Sequence, residues 1–174
     1  MSFDVDDGGI KQMKLRLQRL RGVKGVANEE LKACANDVAQ KAKDMAPIDY
    51  GDLKRAIQVG RRGVQGAGGR FVKGVSNYDV FISGNTKVQD PKKLDRKDPV
   101  ETVGEYVWEV HEHMGWASQP GKFMPSEESV QAGLEKGVEA GGKFMERAQE
   151  AMRQEVVKRM ITVTAAYIQK TLDN

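Results

Sequence analysis

His111-Glu112-His113 is the first place to look for chemistry in this chain, because imidazole and carboxylate groups together ligate metals and move protons. A metal site needs three or four such groups to converge. Two histidines two residues apart share a side only in a strand, diverge on a helix, and have no third ligand at a suitable spacing here. Solvent-facing or interface histidines near a helix end are the expectation. Gly60-Arg61-Arg62-Gly63-Val64-Gln65-Gly66-Ala67-Gly68-Gly69-Arg70 is rich in the glycine that cradles phosphate, but it is neither G-x-x-x-x-G-K-[ST] nor a G-x-G-x-x-G between strand and helix. Ser2, Ser76, Ser83, Ser118, Ser126 and Ser129 sit in no nucleophile elbow, and the carboxylates from Asp98 to Glu112 are too many and too regular to single out a catalytic pair. The single cysteine, Cys34, excludes an intrachain disulfide and a multi-thiolate zinc site. It lies on an apolar helical stripe between Leu31 and Val38, as a small buried hydrophobe would. No catalytic residue, metal or cofactor is expected, and the chain reads as a non-enzyme.

What remains is charge and its placement. With 174 residues, 39% hydrophobic and 30% charged, the chain suits one soluble domain. No apolar run approaches the ~20 residues that span a bilayer, and the start, Met1-Ser2-Phe3-Asp4, lacks the basic and apolar parts of a secretory signal, so synthesis in the cytoplasm is expected. The net charge of +3 is unevenly spread. Lys11, Lys14, Arg16, Arg19, Arg21 and Lys24 occur without an acid among them while Ile10, Met13, Leu17 and Leu20 repeat at helical spacing, predicting a basic amphipathic arm over residues 1–27. Lys54 to Tyr78 is also free of acids, and its glycines predict a mobile loop between strands that carries Arg61, Arg62, Arg70 and Lys73 as a basic interface or DNA-facing surface. Against these stand Asp98, Glu101, Glu105, Glu109 and Glu112. With Val100, Val103, Val107 and Val110 at helical spacing and Pro99 suited to a first turn, they predict an acidic helix over 99–113. Gly104 and the β-branched residues weaken that helix, and a strand from Tyr106 is the rival. Glu101, Glu105 and Glu109 are the candidate contacts to a neighbouring subunit.

The elements that position these charges are an α+β set in a single domain over 28–174. Asn28 is a candidate cap for a helix with Leu31, Ala35, Val38, Ala42 and Met45 on one face, stopped by Pro47. A turn at Asp49-Tyr50-Gly51, with Gly51 left-handed, leads to strands over 53–59 and 70–83, the second broken at 74–77. Residues 84–97 are a polar connection. Residues 115–141 read as an enlarged loop whose Trp116, Phe123 and Met124 are anchors for another chain. A last helix over 143–172, with Phe144, Ala148, Ala151, Met152, Val156, Met160, Val163 and Tyr167 on one face, is too long for so small a core, so part of it is expected to meet another subunit.

Three phrases tie this order to a known pattern: Ala46-Pro47-Ile48-Asp49-Tyr50-Gly51-Asp52-Leu53-Lys54, Tyr106-Val107-Trp108-Glu109-Val110-His111-Glu112, and Gly142-Lys143-Phe144-Met145-Glu146-Arg147-Ala148. Over most of 28–172 the chain resembles the tail-completion and neck (head-tail joining) proteins of long-tailed bacteriophages, the group that includes minor tail protein Z of phage lambda. Those proteins read helix, A-P-x-x-T-G-x-L-[RK], strands, Y-A-x-x-V-[HE]-E, then [KR]-F-[LM]-x-[RP]-A opening a last helix. Tyr50 stands here for their threonine, and Val107 and Trp108 for a small residue and its neighbour. The resemblance implies a structural virion protein forming a ring, a hexamer by tail symmetry, around the DNA channel, with neck, tail-tube or sheath proteins as neighbours. Pro47 and Gly51 are then structural turn residues. In such a ring the acidic helix of one subunit would face basic surface on the next. The alternative of another class is a free nucleic-acid-binding protein gripping phosphates with its basic arm and Arg/Gly loop. The overall charge is only mildly basic and no recognition module is present, which weighs against it.

Overall fold

The computed structural model describes Gln12, Lys14, Leu15, Gln18 and residues 22–48, 51–65, 71–89, 101–116 and 119–173. Among these are five α-helices and one two-stranded antiparallel sheet, an α+β domain as the sequence predicts. The four isolated N-terminal residues are helical, but most of the predicted basic arm lies outside the described residues.

Helix α1 (Val23–Met45) begins one turn before Asn28, which is therefore interior rather than a cap. It ends where expected: Ala46 is extended (ψ 138°), the conformation imposed on a residue before proline. Ala35, Ala39, Ala42 and Met45 are buried, and the alanines let other elements approach closely. After Pro47 the chain forms α2 (Gly51–Ala56) instead of the predicted strand. The reason is spacing. Leu53, Ala56 and Ile57 are all buried, at i, i+3 and i+4, which a helical turn places on one face and a strand does not. Gly51 opens this helix, so it uses a helical rather than a left-handed backbone.

Strands β1 (Ile57–Gln65) and β2 (Phe71–Ile82) pair from Ile57↔Ile82 through Val59↔Val80 to Gly63↔Ser76. The first starts four residues later than the predicted 53–59 and runs on to Gln65, and the second matches the predicted 70–83 to within a residue at each end. The pairing stays in register up to Gly63↔Ser76 and shifts between Gly63 and Gln65, which pairs with Phe71; β2 runs as one strand across 74–77, with Ser76 and Asn77 partnered on β1. Val59, Val80 and Ile82 share the face that packs on the core.

The predicted helix over 99–113 is also corrected. Thr102 bridges Lys87, Val88 N–H donates to the Glu101 carbonyl (2.9 Å), and Gly104 N–H donates to the Gly84 carbonyl (2.8 Å), so 101–104 is tied sideways to 84–88. Thr102 and Glu105 form a capping box over the short 3-10 turn Val103–Glu105, and only Val107–His113 is α-helix (α3). Gly104 permits the contact, since a Cβ there would lie 3.0 Å from the Gly84 carbonyl oxygen.

The supposed enlarged loop contains α4 (Glu127–Glu135), capped by Ser126, and its buried Val138 joins the core. Helix α5 (Phe144–Leu172) runs antiparallel to α1: Gly141 N–H reaches the Met45 carbonyl at one end, and Arg159 pairs with Glu30 and Asp37 farther along. Only Phe144 and Ala148 of α5 are fully buried, both in its first two turns.

Candidate assembly surfaces

The three sequence motifs meet in one place. Ala46 and Leu53 from the first, Tyr106 and Val110 from the second, and Phe144 and Ala148 from the third belong to one buried cluster with Met45, Ile57, Val103 and Met114. Pro47 is fully buried as well. The apolar recurring letters of the three motifs that are described, Ala46, Pro47, Leu53, Tyr106, Val110, Phe144 and Ala148, are thus packing residues.

Where the second and third motifs touch, polar groups cluster. The His111 ring stands edge-on to Phe144, with centroids 4.9 Å apart at 82°. Its Nδ1 lies 2.9 Å from Glu112 Oε1 and its Nε2 2.8 Å from Glu146 Oε2. The Lys143 ammonium pairs with Glu112, which holds the Glu112 carboxyl below its ordinary range and raises the lysine. Lys143 is left-handed (φ 53°) and donates its N–H to the His111 carbonyl at 2.7 Å, fixing the entry to α5. His111, Glu112 and Glu146 bring ligand atoms within 4.8 Å of one another, a convergence the sequence reading missed because Glu146 is distant in the chain. Lys143 already serves as the counter-ion to Glu112. His113 points elsewhere and is exposed, as two histidines two apart on a helix should be.

Beside this cluster Arg147 donates to the carbonyls of Glu139 (2.7 Å) and Gly142 (3.1 Å) and stacks on Trp116, its guanidinium carbon 4.6 Å from the ring centroid. Burial lowers the arginine pKa. Trp116 is therefore half-buried against its own domain, and Phe123 packs on the core, where both had been expected to be anchors for another chain. Met124 is exposed.

The acidic residues do not make one stripe. Glu105 folds back onto Thr102, Glu109 lies 3.6 Å from Lys122, and Glu101 is an exposed residue outside any helix. The exposed feature of this surface is Trp108, which sequence reasoning treated only as a departure from a motif. Its position was a usable signal: with Tyr106 and Val110 facing inward, a residue midway between them on a helix faces out. On the hairpin, Arg61 is exposed; the side chains of Arg62 and Lys73, and all of Arg70, lie outside the described residues.

Residues 11–80 match the HK97-gp10-like family model, described as "Bacteriophage HK97-gp10, putative tail-component". This stretch resembles a phage tail component. The match covers α1, α2, β1 and most of β2, and with them the first motif, so it supports the tail and neck assignment at that level. The second and third motifs lie beyond it, and the likeness to the lambda group rests on the three phrases alone. No curated protein and no solved structure matches the chain.

Proposed function

We propose that the protein is a structural component of a bacteriophage tail or neck, assembled as a ring at the head-tail junction around the DNA passage. The observation that carries this reading is the match of residues 11–80 to a tail-component family. The structure adds support in what it leaves uncovered: Trp108 on α3 and Val157, Ile161, Ile168 and Leu172 on the distal half of α5 are exposed, as surfaces awaiting other subunits are. No described helix is long and apolar enough to cross a membrane. Sixfold stoichiometry follows from tail symmetry, neck, tube or sheath proteins are the neighbours above and below, and the hairpin bearing Arg61, Arg62, Arg70 and Lys73 is the basic surface toward the channel. Size-exclusion chromatography with light scattering, with and without DNA, tests the proposal. A defined oligomer, or co-assembly with a tail or neck protein, is expected; a monomer that binds DNA in a salt-sensitive way would support the nucleic-acid-binding alternative instead.

A further inference from the structure

Among the described residues β1 pairs with β2 and neither has a second strand beside it, so the sheet has an edge on each side. The register fixes which backbone groups point out of those edges. Ser83 N–H donates to the Ala56 carbonyl at 2.8 Å. In an antiparallel ladder such bonded pairs alternate with unbonded ones, so Gln58↔Phe81, Gly60↔Asp79 and Arg62↔Asn77 exchange the bonds inside the hairpin. The N–H and C=O groups of Val59 and Gly63 on β1, and of Ser76, Tyr78 and Val80 on β2, therefore point outward. None of the described backbone bonds outside helices and strands reaches these residues.

The two edges differ in charge. Beside β1 a hollow opens against α1 and α2, and the charged side chains that line it are Lys43 and Arg55, both basic. Beside β2 a second hollow opens against α1 and α5, and the charged side chains that line it are Asp79 and Glu146, both acidic. Arg55 also pairs with Asp52, and Glu146 lies 2.8 Å from His111, but the lining groups of the two hollows remain opposite in sign. Strand β1 adds Arg61 and Arg62 and no acid.

We propose that the β1 edge of one copy pairs with the β2 edge of a second copy, so that one sheet runs from subunit to subunit. A row of alternating N–H and C=O groups is satisfied by another extended strand. Charge selects which strand: β1 against β2 brings basic groups to acidic ones, whereas β1 against β1, or β2 against β2, sets like charges together. Neighbouring copies in a ring share one orientation and β2 runs opposite to β1, so the pairing is antiparallel. With Val59 opposite Val80 of the next copy, the outward groups match through to Gly63 opposite Ser76. Directly opposed residues share a face, and Val59 and Val80 both face the core, so this register keeps the apolar side of the sheet continuous. Because the two edges are different surfaces, each copy still offers one of each after pairing, and the contact propagates until it closes into a ring. The inference rests on the reading of the chain as a ring-forming tail component, and names the contact that builds the ring.

Hydrogen exchange of the full-length protein, resolved to single residues by fragmentation mass spectrometry, tests the pairing in monomer and oligomer. The amides of Val59, Gly63, Tyr78 and Val80 should exchange about tenfold or more slowly in the oligomer than in the monomer, while those of Gly60 and Asp79, bonded inside the hairpin, are slow in both. Tyr78→Pro removes an outward N–H and leaves the inner ladder intact, as proline on an edge strand does. It should weaken self-association about tenfold or more, and Tyr78→Thr, which keeps the N–H, should weaken it less. If the proline variant fails to fold, the exchange pattern of the native chain decides alone. Outward amides that exchange equally fast in monomer and oligomer, or a folded Tyr78→Pro protein that assembles as well as Tyr78→Thr, would overturn the inference and leave the tail assignment standing. Protection that arises only on adding a tail or neck protein would give the edge to a different chain and overturn it too. A chain that stays monomeric at ~100 μM, well above typical micromolar assembly, would overturn the contact as well. Absence of the protein from phage particles, assayed separately, would remove the tail assignment.

Discussion

Replacing Ser129 by alanine tests whether the segment 119–141 is fastened to the domain, as the Ser129–Ile48 bond and the burial of Val138 indicate, or is a free loop, as its composition implied. Ser129 is 1% exposed, and its Oγ accepts the Ile48 backbone N–H at 3.0 Å across eighty-one residues of sequence. That bond fastens the end of α4's first turn to the segment following Pro47. Alanine removes the acceptor and leaves the Ile48 N–H beneath α4 with no such partner, a loss of about 1–3 kcal/mol. It also leaves a space the size of a hydroxyl, which adds little. In a chain of this length each kcal/mol lowers Tm by about 2–4 °C, so a fall of roughly 4–8 °C is expected for a mid-range loss. Thermal and urea unfolding of the two proteins measure it, with Ser126→Ala as the control: Ser126 caps α4 through the Ser129 N–H at 3.2 Å, and its loss should cost about 1 kcal/mol. A Ser129→Ala protein with unchanged midpoints, or one in which protease still cuts 119–141 as fast as an unfolded peptide, would refute the packing of this segment.

Three further outcomes are expected. Gly141→Ala should cost more than about 3 kcal/mol, because its φ is 147° and a Cβ would lie 2.3 Å from the Gly115 carbonyl oxygen, whereas Gly137→Ala, at φ 66° in open space, should cost about 1 kcal/mol; equal denaturant midpoints would contradict the close approach of 141 to 115. Glu112 has a folded pKa below its unfolded one, so its contribution is present above the ordinary glutamate range and is lost as pH falls through the depressed value: the stability gap between the native chain and Glu112→Gln should close on acidification, and a gap that persists would contradict the Lys143 pairing. Arg147→Lys should lose about 1–2 kcal/mol and alter Trp116 fluorescence, since an ammonium cannot hold both carbonyls and stack on the ring; an unchanged spectrum would argue against the stack.

Much of the fold was legible because its strongest signals are local. Pro47 ends α1 by sterics, and a run of apolar residues at helical spacing from Phe144 onward gives α5 within a residue. The failures share a cause. Residues 101–104 and 53–56 carry local patterns that two conformations satisfy, and partners distant in sequence choose between them: Gly84 and Lys87 draw the first away from helix, while burial of Leu53, Ala56 and Ile57 on one face makes the second helical. Trp116 and Phe123 looked unpartnered because Arg147 and the core residues that cover them are elsewhere in the chain. Charge was read correctly as unevenly distributed, but its use was not visible until the fold placed Glu105 on Thr102, Arg159 on Glu30 and Asp37, and Trp108 at the outer face.

The most direct measurement is an image of the assembled phage by cryo-electron microscopy with this chain located in it. The expected result is a closed ring of copies at the head-proximal end of the tail, with the hairpin carrying Arg61 toward the DNA. Particles that lack the protein, or hold it only as isolated copies away from the head-tail junction, would contradict the proposed function.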